Sequence, residues 1–145
     1  MTKRKTLLLA IAALLLFWLW PRTAMPDMGN LKGMAVTVIE HSVIHGVPQS
    51  DHKQYALTTD SPAYEKMAEL LAGVHVHRSL QDLWYDGTFP GVDVTILLLG
   101  SEAMTIRGNT LLIDNHLYSG YRPGTGAVLT AQILDLLADV PPLEK

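Results

Sequence analysis

The sequence predicts an α+β fold: a mostly antiparallel sheet with two helices packed on one face, preceded by an N-terminal transmembrane or signal segment. Three observations support this prediction. Short β-rich runs alternate with turn residues, two segments repeat apolar residues at helical spacing, and an unbroken apolar run stands near the N-terminus. Strands followed by a helix that covers them are typical of this fold class.

The first 24 residues have the composition of a membrane-targeting segment. Three of the first five residues are basic, residues 7–20 contain no polar side chain, and no acidic residue occurs before Asp27. A basic flank before an apolar run is typical of export signals, and the basic end stays in the cytoplasm. The sequence therefore predicts a single-pass protein of the cell membrane, held through residues 6–20, with its C-terminal domain outside the cytoplasm.

The targeting segment can be interpreted as an uncleaved anchor or as a removed signal peptide. The apolar run spans roughly 21 Å as a helix, which is short for a bilayer core and typical of a cleavable signal. However, the best candidate cleavage site is after Ala24, and Arg22 stands two residues before Ala24, where a small residue is wanted. Trp18 and Trp20 also suit the level of the lipid headgroups. The sequence favours the anchor.

Composition divides the rest of the chain and excludes several functions. Residues 1–24 form the anchor or signal segment, residues 25–33 a Pro- and Gly-containing tether, and residues 34–145 an extracytoplasmic α+β domain. From Met25 onward the chain has seven basic and fourteen acidic residues, a formal charge of −7, which disfavours nucleic-acid binding. The absence of Cys excludes disulfides, thiol catalysis and thiolate zinc sites.

The first half of the domain is predicted to contain two strands and a helix. Residues 34–44 alternate in polarity and predict a strand, residues 45–52 a loop or wide hairpin connection, and residues 53–58 a returning strand. Ser61 followed by Pro62 is a strong helix start, and an apolar stripe then runs to Gly73. Residues 74–80 fit either a short strand or a second turn.

The second half is predicted to contain the central strand, a hairpin and the last helix. Residues 92–99 predict an inner strand. Gly108 and Asn109 separate two β-rich runs, residues 104–107 and 110–117, and indicate a tight hairpin with Arg107 opposite Thr110. A loop is predicted over residues 118–126, followed by an apolar helix that ends near Val140. Three residues of that helix are expected to pack on the sheet: Leu129, Ile133 and Leu136.

The histidines are candidate metal ligands. His41 with His45, and His75 with His77, have the spacing that places both members of a pair on one face of a strand. A third ligand would have to come from Asp51, His52 or His116. Because no HExxH spacing occurs, surface histidines are the favoured interpretation, and no cofactor is predicted.

Other motifs fit catalysis or ligand binding poorly. The Gly-rich run at residues 120–126 precedes a helix and could bind an anion, but it lacks the Lys and the spacing of a nucleotide loop. A turn in which Thr125 caps the helix explains it. Residues 100–102 do not form a nucleophile elbow. Three carboxylates show no paired spacing and are expected to be solvated: Asp82, Asp86 and Asp93.

An aromatic cluster supplies the candidate binding residues Trp84, Tyr85 and Phe89. They stand in a turn-rich loop, where Trp and Tyr can anchor a protein interface. They can equally cover the open end of the core.

The layout of the chain resembles the small single-anchor or lipoprotein extracytoplasmic domains of Gram-positive bacteria, which are of unknown function. The resemblance lies in the order of anchor, strand, helix, strand, hairpin and final helix, and in Tyr64, Leu70, Leu71 and residues 113–118. These are core positions, so the resemblance implies a compartment but carries over no functional residue. Without a Cys, the chain departs from the lipoprotein members.

Two functions remain open from the sequence. The favoured one is a membrane-tethered extracytoplasmic interaction module without catalytic activity. Its possible partner is another envelope protein. The alternative is a small cell-envelope enzyme or a metal-dependent sensor that uses the histidine pairs.

Overall fold

The computed structural model describes residues 3–25, 32–79, 92–98 and 103–144. This part of the chain contains three helices, α1 (Lys3–Trp18), α2 (Pro62–Ala72) and α3 (Thr125–Leu137). Its strands are β1 (Arg22–Thr23), β2 (Gly33–Ile44), β3 (Val47–Thr58), β4 (His75–Arg78), β5 (Val92–Leu98), β6 (Ala103–Arg107), β7 (Thr110–Ile113) and β8 (His116–Gly120).

The described strands form one sheet in the order β1-β4-β8-β7-β6-β5-β2-β3, and every neighbouring pair is antiparallel. The predicted α+β class with an antiparallel sheet is therefore confirmed. As expected, β5 is an inner strand, between β6 and β2.

The core lies between one face of the sheet and the helices α2 and α3. Because side chains alternate along a strand, every second residue of β2 and β5 points to this face. The buried cluster joins residues of both strands to residues of both helices: Met34, Val36, Val38, Val94, Ile96, Met67, Leu71, Leu129, Ile133 and Leu137. The apolar stripe of α3 thus ends on Leu137, whereas the predicted Leu136 is only partly buried.

The local signals at α2 and at the Gly108–Asn109 turn are confirmed. Ser61 is the N-cap of α2, and its side chain accepts a hydrogen bond from the Tyr64 backbone N–H at 3.1 Å. The β6–β7 hairpin has the predicted register, with Arg107 opposite Thr110. In both places the fold follows from two adjacent residues with strong conformational preferences.

Residues 45–52, expected to be a loop or a wide hairpin connection, contain a much shorter connection, because β2 and β3 form one long hairpin. His45 and Gly46 have φ angles of 51° and 78°, and this pair closes a two-residue turn. Such positive angles match the twist of the flanking strands. Pro48 is tolerated in β3 because that strand is at the sheet edge and pairs only with β2.

A second tight hairpin was missed, because Asp114 and Asn115 also adopt positive φ angles of 48° and 67°. They split the predicted strand over residues 110–117 into β7 and β8. The strand β8 then continues into the predicted loop at residues 118–126. Residues 74–80, which the sequence left ambiguous, contain β4.

The helix α1 buries none of its residues, although its side chains after Thr6 are apolar on all sides. In the part of the chain that the structure describes, no helix is both long enough and apolar enough to cross a membrane.

The chain joins the sheet directly after α1. β1 pairs with β4, and the N–H of Ala24 donates to the carbonyl oxygen of Val74 at 2.8 Å. Ala24 and Met25 are both buried in the core. Most of the predicted tether, residues 26–31, lies outside the described residues.

Candidate binding groove

A groove of about 990 Å³ lies between α2 and α3, at the edge of the sheet formed by β1 and β4. This volume is at the upper end of the range for small-molecule sites. The C-terminal part of α2 and the N-terminal part of α3 form its sides. Its lining also includes Pro21, which follows α1, and the segment that joins β8 to α3.

The floor and one side of the groove are apolar. Leu70, Val74 and Leu129 line it from α2, from the residue before β4, and from α3. Two further lining side chains are well exposed, Val128 at 58% and Tyr121 at 62%. Covering apolar surface of this kind is favourable by about 25 cal/mol per Å². The groove is therefore suited to an apolar ligand.

The segment between β8 and α3 forms a fixed wall. The hydroxyl of Thr125 donates to the carbonyl oxygen of Arg122 at 2.6 Å, and the N–H of Tyr121 donates to the carbonyl oxygen of His75 at 3.2 Å. Thr125 does not cap α3 as predicted. Gly124 is the N-cap, with φ of 78° and no side-chain capping bond, because the Thr125 hydroxyl bonds backward instead.

Glu69 on α2 and Arg122 on the wall place opposite charges on the groove lining. Among the described residues, neither side chain makes an ion pair, with the other or with any third group. His75 also lines the groove, and its Nδ1 lies 3.1 Å from the carbonyl oxygen of Gly73, so that only Nε2 is available to a ligand. The groove thus offers one acidic and one basic group to a bound molecule.

The sequence contained part of the signal for this groove. The Gly-rich run at residues 120–126, which by its sequence could bind an anion, contributes the wall. The apolar stripes of α2 and α3 predict packing in the core alone. That α2 and α3 lie side by side and leave Leu70 and Val128 between them depends on tertiary packing, which helical periodicity does not report.

The two histidine pairs lie far apart. His41 and His45 belong to β2 and its turn, whereas His75 and His77 belong to β4. Four strands lie between β2 and β4, so the two are five inter-strand spacings of about 4.8 Å apart, which is roughly 24 Å. Within the described residues, no group of three His, Asp or Glu side chains is placed to hold a metal ion.

Asp93 is buried, so the expectation that it is solvated is wrong. The β5–β6 register places it opposite Arg107, whose Nε lies 3.1 Å from Asp93 Oδ2. Asp93 Oδ2 is also 3.6 Å from His41 Nε2, and the Nδ1 of His41 is 2.9 Å from the hydroxyl of Ser50.

The order hydroxyl, imidazole and carboxylate in this cluster is that of an activated serine. However, His41 and Ser50 are exposed, and neither lines the groove, so that no apolar wall beside them excludes water. Arg107 already balances the charge of Asp93. The geometry therefore fits a charge-paired outer face of the sheet better than a catalytic site.

The remaining candidates lie outside the described residues. They are the aromatic residues Trp84, Tyr85 and Phe89, the carboxylates Asp82 and Asp86, and the segment at residues 100–102.

The residues considered as a third metal ligand are spread over two strands, with Asp51 and His52 on β3 and His116 on β8. Asp51 lies 3.6 Å from the Nζ of Lys53.

Comparisons with known proteins give no relative from which a function could be carried over. No protein-family model matches the chain, and no curated protein and no solved structure is significantly similar to it.

Proposed function

We propose that the protein is a membrane-tethered binding module, held at the outer face of the cell membrane through residues 6–20, whose α2–α3 groove takes an apolar ligand. Its role is binding rather than catalysis.

The observation that carries this proposal is the exposed apolar surface of α1. Leu8, Leu14 and Phe17 are each more than 60% exposed, and no residue of the helix is buried in the domain. A helix that is apolar on all sides is stable only when something covers it, and a bilayer does so without a partner protein. The basic residues before the run favour a cytoplasmic N-terminus.

Contacts at the end of α1 support an anchor that is joined directly to the domain. The guanidinium of Arg78 stacks on the ring of Trp18 at 5.3 Å, and that of Arg22 on the ring of Phe17 at 5.5 Å. Together with the β1–β4 pairing, they hold the end of α1 beside the groove. A ligand in the groove would then be close to the membrane surface.

Sedimentation of the full-length protein with lipid vesicles tests the proposal. Leu14→Asp places a charge in the middle of the apolar run, at a cost of about 3 kcal/mol on insertion, and should lower the vesicle–water partition coefficient by roughly two orders of magnitude. Val43→Asp is the matched control, because Val43 is 70% exposed at the far edge of the sheet. Equal binding of both variants and the wild type would contradict the proposal.

A further inference from the structure

We infer that the α2–α3 groove binds a zwitterionic aminophospholipid of the membrane, with an acyl chain on its apolar floor, the phosphate at Arg122 and the amine at Glu69. The inference rests on the proposed membrane attachment and names the ligand of the same groove.

The position of the groove favours a lipid over a soluble ligand. Pro21 lines the groove and stands three residues after Trp18, the last residue of α1. Between them, Trp20 is strongly exposed, and Trp is enriched at the level of the lipid headgroups. With α1 in the bilayer, the groove would open at this level, where a lipid can enter it without crossing water.

The lining of the groove fits an acyl chain. The apolar side chains of Leu70, Val74 and Leu129 line it, and Val128 and Tyr121 add exposed apolar surface beside them. An acyl chain covers such a surface and brings no polar groups that would need hydrogen-bond partners. A peptide segment would bring backbone N–H and C=O groups, which require partners when they are buried.

The two charges at the groove select the headgroup. The planar guanidinium of Arg122 can bind two oxygens of a phosphate, and the carboxylate of Glu69 can accept hydrogen bonds from a primary amine. Both side chains are without ion pairs among the described residues. An anionic lipid would leave Glu69 unpaired and would meet the formal charge of −7 that the chain carries from Met25 onward.

Photocrosslinking of the full-length protein in vesicles tests the inference. A diazirine-bearing residue at position 128 lies in the groove, and the same residue at position 43, near the end of β2, is the control. The vesicles contain phosphatidylcholine with either phosphatidylethanolamine or phosphatidylglycerol. We expect a one-lipid adduct at position 128, at least fivefold above that at position 43, with phosphatidylethanolamine as the preferred lipid.

Two variants then test the headgroup contacts. Arg122→Gln should lower the adduct about tenfold, the usual effect of losing a hydrogen bond to a charged group, and Arg122→Lys should lower it less. Glu69→Gln should leave the adduct but remove the preference for phosphatidylethanolamine. Both side chains are at the surface, and circular dichroism spectra would confirm that the variants fold.

Vesicle sedimentation, measured on the same samples, separates this inference from the proposed function. Protein that sediments with vesicles but gives no lipid adduct at position 128, equal adducts at both positions, or a protein adduct instead would overturn the lipid assignment alone. Protein that does not sediment would overturn both proposals.

Discussion

At the scale of single residues, two glycines determine how closely α3 approaches the sheet. A Cβ at Gly126 would lie 2.4 Å from the carbonyl oxygen of Gly108 and 2.7 Å from Cα of Asn109. A Cβ at Gly120 would lie 2.1 Å from Cβ of Thr125. The first turn of α3 therefore needs glycine at position 126, and the wall of the groove needs glycine at position 120.

Gly126→Ala is expected to destabilise the protein by about 1–3 kcal/mol. Alanine favours a helix over glycine by up to about 1 kcal/mol, but the contacts here are with backbone atoms, which cannot move aside, and overpacking of this kind costs more. The measurement is the free energy of unfolding in urea.

Gly73→Ala is the matched control for Gly126→Ala. Its Cβ would meet nothing closer than 3.5 Å, and its φ of −78° suits alanine. It should change the free energy of unfolding by less than about 0.5 kcal/mol. If the two substitutions have equal effects, the close approach of α3 to the β6–β7 turn is wrong.

Ile133→Ala is expected to lower the free energy of unfolding by about 2–4 kcal/mol. Ile133 is fully buried in the middle of α3, and removing buried methylene groups leaves a cavity under the sheet. Gln132→Ala is the control at the neighbouring exposed position, with an expected effect within about 0.5 kcal/mol. A loss below that size for Ile133→Ala would place this face of α3 outside the core.

At the scale of elements, the sequence predicted those whose signals are local and strong. Ser61 with Pro62, and Gly108 with Asn109, allow few backbone conformations. The sequence therefore predicted both ends of α2 and the register of the β6–β7 hairpin. His45–Gly46 and Asp114–Asn115 close equally tight turns, but the sequence did not predict them. Pro48, two residues after the first turn, disfavours a strand there, and the second turn contains no glycine. β1 was not predicted, because two residues carry no periodicity and its pairing with β4 is a long-range contact.

Removal of β1 is expected to destabilise the domain even when α1 is already absent. A chain that begins at Met25 lacks the β1–β4 pairing, the hydrogen bond from Ala24 to Val74 and the burial of Ala24. At about 1 kcal/mol per hydrogen bond, its free energy of unfolding should be about 2–3 kcal/mol below that of a chain that begins at Pro21. A difference under about 0.5 kcal/mol would mean that residues 22–24 add nothing to the fold.

At the scale of the whole molecule, the two edges of the sheet differ. The β1–β4 edge carries the end of α1 and the groove. The β2–β3 edge carries a long hairpin, of which residues 41–50 extend beyond the pairing with β5. Three apolar residues beside its turn are exposed: Val43, Ile44 and Val47. Attachment to a membrane through α1 would therefore bring the groove to the lipid surface and keep the hairpin at the other side of the domain.

Residues 1–24 are expected to remain on the mature protein. Signal peptidase prefers small residues at the last and third-last positions before the cut, and Arg22 occupies the third-last position before the best candidate site, after Ala24. Cleavage there would also separate β1 from the domain and lower the free energy of unfolding by about 2–3 kcal/mol. Intact-mass measurement of the membrane fraction from a bacterial host should show the uncut chain.

Arg22→Ala provides the control for this prediction, because it creates the pattern Ala-x-Ala that signal peptidase recognises. We expect this variant to yield a shorter species that begins at Met25, while the wild type stays intact under the same conditions. That pair of results would show that the segment reaches the export machinery and that Arg22 is what preserves the anchor. A wild-type species that begins near Met25 would instead identify residues 1–24 as a removed signal peptide, and the groove would then be released from the membrane together with the domain.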